Sequence, residues 1–182
     1  VGYWRMGETS GAITDWLNGT FPGTLHGVSS GLTTPGCAGG LVGDNNRSVA
    51  FKGDALGGIT ARVRIGTTPL GDSSALTLEA WMFSPTQPAS AMPLFGRATG
   101  AFSASNHGYY LRVNCGGVVQ FSQQGISNEL TTPLSAIVAN TWHHIIGTWN
   151  GSFQNIWVDA TLVASRAQTT PMSTTGVTAG AD

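Results

Sequence analysis

The chain has 182 residues, 41% of them hydrophobic and only 9% charged, with a formal net charge of −1. That length supports one domain with a real core, stable without a disulfide or metal staple. Lys52 and the scattered arginines, of which only Arg62 and Arg64 lie close together, form no phosphate-neutralising stripe, and no apolar stretch is long enough for a spanning helix.

Along the chain, strand signals recur between clusters of Gly, Pro, Asn and Asp, and no useful stretch has helical periodicity. A first short strand is predicted at residues 2–6. Residues 9–41 read as loop-rich, with a short strand at 23–28. Residues 48–52 alternate, with Val49 and Phe51 on one face. At 59–65, Ile59, Ala61, Val63 and Ile65 oppose Thr60, Arg62 and Arg64. Residues 76–83 read as a central strand. Further strands are predicted at 93–97, 108–114, 118–123, 129–138, 142–149, 153–159 and 161–167, with a last short one at 175–179. Many short strands with turns between them predict an all-β antiparallel sandwich rather than βαβ units.

One hairpin has a testable register. A three-residue loop at Cys115-Gly116-Gly117 sets Val113 opposite Val119, Leu111 opposite Phe121, Arg112 opposite Gln120 and Tyr110 opposite Ser122. Apolar then meets apolar and polar meets polar. A two-residue Gly116-Gly117 turn would set Val113 against Gln120, because a one-residue slip turns every side chain to the other face. Cys37 and Cys115 are too few for a disulfide framework, and both a single bridge and two free thiols fit the sequence.

The run Asn140-Thr141-Trp142-His143-His144-Ile145-Ile146-Gly147-Thr148-Trp149-Asn150-Gly151, followed by Ile156-Trp157-Val158-Asp159-Ala160-Thr161-Leu162-Val163-Ala164, resembles the two-hairpin signature of laminin G-like domains of the concanavalin A-like lectin/glucanase superfamily. Tyr3-Trp4-Arg5-Met6-Gly7-Glu8, Ser48-Val49-Ala50-Phe51-Lys52-Gly53, Leu76-Thr77-Leu78-Glu79-Ala80-Trp81 and Gly176-Val177-Thr178-Ala179-Gly180-Ala181 fall in the order that family expects. The resemblance implies a concanavalin A-like, laminin G-like jelly roll spanning residues 1–182 as a single domain. The opening phrase is most similar to bacterial and bacteriophage versions. Two departures stand out. Ala160 occupies the turn position where the family usually has Gly. The family's closing strand, which often supplies a calcium ligand, is expected beyond Asp182, so the chain reads as a fragment of a longer one. A structural calcium is therefore not assignable, and no cofactor is expected.

Catalysis finds little support in the residues. A retaining glycosidase needs two carboxylates about 5–5.5 Å apart. On the central strand the positions sharing a face with Glu79 are Thr77, Trp81 and Phe83. His143 and His144 point to opposite faces of a strand and read as structural. Asp44, Asn45, Asn46 and Asp54 are oxygen-rich but read as turn-capping residues. No catalytic and no metal-binding residue is assigned. Five tryptophans lie in predicted strands and read as core. Trp16 lies in a loop with Asp15 and Asn18, and these three form the candidate ligand site, a sugar platform. The expected protein is a non-catalytic binding module on a virion appendage, a phage tail or fibre, outside the cell. Its expected partners are a host-surface glycan or a neighbouring virion or surface protein, with no nucleic acid and no membrane insertion. A structural, cementing domain and a bacterial adhesin are the alternatives.

Overall fold

A computed structural model describes residues 2–10, 12–17, 19, 21–28, 31, 33–40, 43, 45–52, 61–65, 73–98 and 107–172. Its strands in chain order are β1 (Ala12–Ile13), β2 (Gly23–His26), β3 (Thr33–Ala38), β4 (Arg47–Phe51), β5 (Arg62–Ile65), β6 (Leu76–Phe83), β7 (Met92–Ala98), β8 (His107–Asn114), β9 (Val118–Ser122), β10 (Leu130–Thr131), β11 (Trp142–Trp149), β12 (Phe153–Val158) and β13 (Thr161–Ala167). All strand pairings among the described residues are antiparallel, and no α-helix occurs among them. Contacts along the chain fall into two compact units, Val1–Pro69 and Leu70–Asp182.

The first unit holds a sheet in the order β1-β2-β5 and a β3-β4 hairpin. Leu25 faces Val63, and Gly23 faces both Ile13 and Ile65. A Cβ on Gly23 would press on Val63 and Ile13, so the missing side chain lets β1 and β5 close on β2. The hairpin carries a bulge between Pro35 and Cys37, where Gly36 takes φ 78°.

The second unit stacks two four-stranded sheets, β10-β9-β8-β7 and β13-β12-β11-β6. Their inner faces share one core: Leu76, Leu78 and Met82 from β6 with Ile145 and Trp149 from β11 and Ile156 and Val158 from β12 on one sheet, and Tyr109, Leu111 and Val113 from β8 with Val119 and Phe121 from β9 on the other. Alternation creates this partition, since successive strand side chains point to opposite faces. Gly147 of β11 stands directly over Phe121, and a Cβ there would enter the ring. The glycine in the Ile146-Gly147-Thr148 stretch is therefore a packing device that admits the phenyl ring between the sheets. The core Trp149 meets its one polar obligation by donating from Nε1 to Gln168 O at 2.8 Å.

The β8-β9 hairpin has the predicted register, with Val113 opposite Val119, Leu111 opposite Phe121, Arg112 opposite Gln120 and Tyr110 opposite Ser122. Gly116 and Gly117 both take φ 71°, and Asn114 caps the turn by accepting from Cys115 N–H. Residues 129–138 differ from the predicted strand, because only Leu130–Thr131 pair as β10. Thr132 N–H still donates to Val119 O at 3.0 Å, but Pro133 after it offers no N–H to a ladder, and the chain turns through Ser135 at φ 61°. Residues 2–6 form a single bridge, Trp4 to Asp15, rather than a strand. β1 and β3 arise inside the segment read as loop-rich. Residues 59–60 and the strand predicted at 175–179 lie outside the described residues. Cys37 and Cys115 are free thiols.

Candidate functional site

Among the described residues, three places that combine polar groups or exposed aromatic rings stand out. The first is the loop around Trp16. Asp15 is 2% exposed, and its Oδ1 accepts from Tyr3 N–H at 3.1 Å and from Leu17 N–H at 3.2 Å. The second of these bonds is an Asx turn. Trp16 N–H donates to Tyr3 O at 2.7 Å, and Gly19 N–H to Asp15 O at 2.9 Å. The backbone is thus fixed on both sides of Trp16, while the indole stands 57% exposed. The Arg5 guanidinium lies 4.9 Å from its ring centroid, a cation–π contact. The structure therefore brings Asp15 and Trp16 together but divides their roles: the carboxylate shapes the loop and the ring meets solvent. Asn18 lies outside the described residues.

The second place is the outward face of the sheet β13-β12-β11-β6. Trp81 is 47% exposed there and stacks on His144, with ring centroids 4.7 Å apart and planes 13° from parallel. His144 Nε2 lies 2.7 Å from Glu79 Oε1. Phe83 packs against Trp142 at 5.7 Å. Register places Glu79, Ile146, Trp157 and Leu162 in one row across the sheet, and Thr77, Thr148, Asn155 and Ser165 in the next. The reading of strand tryptophans as core holds for Trp149 and fails for Trp81, which is solvent-facing, and for Trp142 and Trp157, which are half-buried on this face. Alternation had already set Trp81 and Phe83 beside Glu79. A carboxylate on the same face was the signal that this face meets water.

The third place is the outward face of β8 and β9. Arg112 and Glu129 form an ion pair at 2.7 Å with side chains 14% and 13% exposed. Tyr110 donates to Glu129 Oε2, Arg112 Nε donates to Gln120 Oε1 at 2.8 Å, and Gln120 Nε2 donates to Glu129 Oε1. Burial, reinforced by the bond to Glu129, pushes the Tyr110 hydroxyl far above its ordinary range, so it remains a donor. Every carboxylate oxygen of Glu129 is engaged, which makes this a structural network rather than a waiting acid or base.

His143 and His144 point to opposite faces, as strand geometry requires. His143 is buried, with Nδ1 at 2.7 Å from Asp159 Oδ2 and Nε2 at 3.0 Å from Val138 N. Both of its ring nitrogens are engaged. Asp159 also accepts from His144 N–H at 2.9 Å. Burial alone would raise its pKa, but these two bonds and the nearby imidazoles outweigh it and hold the carboxyl below its ordinary value. No three His, Cys, Asp or Glu side chains gather as metal ligands among the described residues. Asp44 and Asp54 lie outside those residues.

A laminin G-like family model, described as the concanavalin A-like lectin/glucanases superfamily, matches residues 56–182. The chain belongs to this family. No curated protein sequence matches it. The laminin G-like match includes the outward aromatic face and the Arg112–Glu129 network, whereas the Trp16 loop and the stretches at 3–8 and 48–53 precede it. The family is of a carbohydrate- or protein-binding module type, within a superfamily that also holds glucanases.

Proposed function

We propose that this laminin G-like chain is a non-catalytic recognition module that takes a surface glycan at the Trp16 loop. The observation that carries this reading is an indole 57% exposed on a loop whose backbone is already fixed by the Asp15 carboxylate and Tyr3 O. A ring held in place before binding loses little freedom when a sugar stacks on it, which favours affinity. The commitment of Glu79 to His144, Glu129 to Arg112 and Asp159 to His143 favours binding over hydrolysis. Low charge and a surface of Thr, Ser, Gly and Asn suit a virion appendage such as a phage tail or fibre, and that is the location we assign it.

A glycan array with the whole chain tests the reading. At least one glycan is expected to bind, and Trp16→Ala to lose it. Binding that survives this change sinks the Trp16 site. Silence across the array points to a protein partner or to a cementing role. Antibody against the chain is expected to decorate intact virions, and labelling of bacterial envelopes instead would mark an adhesin.

A further inference from the structure

From the outward face of β6, β11, β12 and β13 we infer a second binding platform, built from none of the Trp16-loop residues, that takes an extended, uncharged polysaccharide and rejects anionic ones.

Three observations combine. First, rings occupy successive rows of the face: Phe83 with Trp142, then Trp81 with His144, then Trp157 beside Ile146. Residues two apart on a strand are about 6.7 Å apart, so these rows offer apolar contacts to consecutive units of a chain laid along the strands. Second, the next row is Thr77, Thr148, Asn155 and Ser165, which carries hydroxyls and an amide. Asn155 Oδ1 accepts from Ser165 Oγ–H at 2.7 Å, so this row is ordered before any ligand arrives. Rings for the C–H faces of a sugar and hydroxyl or amide groups for its edges are the two chemistries a polysaccharide needs.

Third, the charge on the face has one sign. Glu79 is the carboxylate among the outward positions, and none of the outward residues of these strands is Lys or Arg. Arg166 of β13 turns the other way and donates to Gln154 Oε1, a buried inward side chain. A sulfated or uronic-acid polymer would meet Glu79, already bonded to the His144 imidazole, with no Lys or Arg on the face to offset it. A second copy of the chain fits poorly for a related reason. A dry two-fold contact would bury Glu79 and the hydroxyl row with no Lys or Arg from either copy, whereas sugar hydroxyls can donate to the carboxylate.

Affinity electrophoresis of the full chain provides the test, in gels containing dextran, a soluble mixed-linkage β-glucan or galactomannan, against gels containing heparin or polygalacturonate. Retardation is expected in at least one neutral gel and in neither anionic gel. Trp81→Ala and Trp157→Ala should each weaken that retardation at least tenfold, with thermal melting confirming that the variants fold. Leu134→Ala, an exposed apolar change that belongs to neither site, should leave it unchanged, and Trp16→Ala run in the same gels reads the Trp16 site separately from this platform. The inference is overturned by retardation in no neutral gel, by equal retardation in heparin, or by retardation that Trp81→Ala leaves intact. A dimer in light scattering that Trp81→Ala dissolves would assign the face to self-association instead.

Discussion

His143 and Asp159 meet at 2.7 Å between Nδ1 and Oδ2, and this bond ties the start of β11 to the turn that joins β12 and β13. The same carboxylate accepts from His144 N–H. One side chain thereby anchors two strands at the edge of the aromatic face.

The Asp159 anchor predicts a pH dependence with a definite sign. The folded carboxyl titrates below its ordinary value of 3.8. Its contribution is therefore complete above that value and is lost as pH falls through the depressed folded value, because the unfolded chain binds the proton first. Half of the side chain is exposed, so solvent screening keeps the contribution below about 1 kcal/mol. Asp159→Asn should flatten the fall in melting temperature below pH 4, and an unchanged acid limb in a thermal-melt series would refute the anchor.

Ala160 follows at φ 64°, after Asp159 at φ 49°. Two positive φ values in succession make this a type I′ turn, with Ala where Gly is free of steric cost. Ala160→Gly should stabilise the chain by about 1 kcal/mol, read as a higher urea midpoint at constant slope.

Gly147→Ala should do the opposite. The added methyl enters the Phe121 ring between the sheets. Overpacking of this kind costs about 1–3 kcal/mol. Denaturant unfolding with Gly147→Ala and Phe121→Leu, alone and together, checks it, and the double variant should recover part of the loss.

Glu129→Ala should be the most damaging of these changes. It strips Arg112 of its partner at a largely buried position and removes the acceptor of Tyr110 and Gln120. Leaving a buried charge uncompensated costs about 3 kcal/mol or more. Denaturant unfolding should show this loss, and Arg112→Ala made in the same background should add far less than it costs alone.

Much of the second unit was legible from alternation alone. β6, β11 and β13 have the predicted limits, and the β8-β9 register follows from pairing like with like. What alternation cannot show is which face of a strand is covered when both carry large apolar groups. β11 has Trp142 and Ile146 on one face, Ile145 and Trp149 on the other. The partner sheet decides between them, and the sequence of β11 does not contain that sheet. Residues 129–138 failed for another reason: Leu130, Leu134, Ile137 and Val138 look strand-like, but Pro133 and the left-handed Ser135 break the ladder. At the Trp16 loop the sequence marked a ring that stands exposed, but it could not show that Asp15 bonds the backbone around that ring, because a side chain bonding its own backbone leaves no compositional trace.

The strict alternation of β11 separates two kinds of inheritance. His143, Ile145, Gly147 and Trp149 are bound to the interior, whereas Trp142, His144, Ile146 and Thr148 stand outside it. Point substitutions at the outward four can redraw what the face recognises and leave the fold intact. A lineage pressed to follow a changing partner would be expected to vary there first, and descendants that differ in target should still share the inward four.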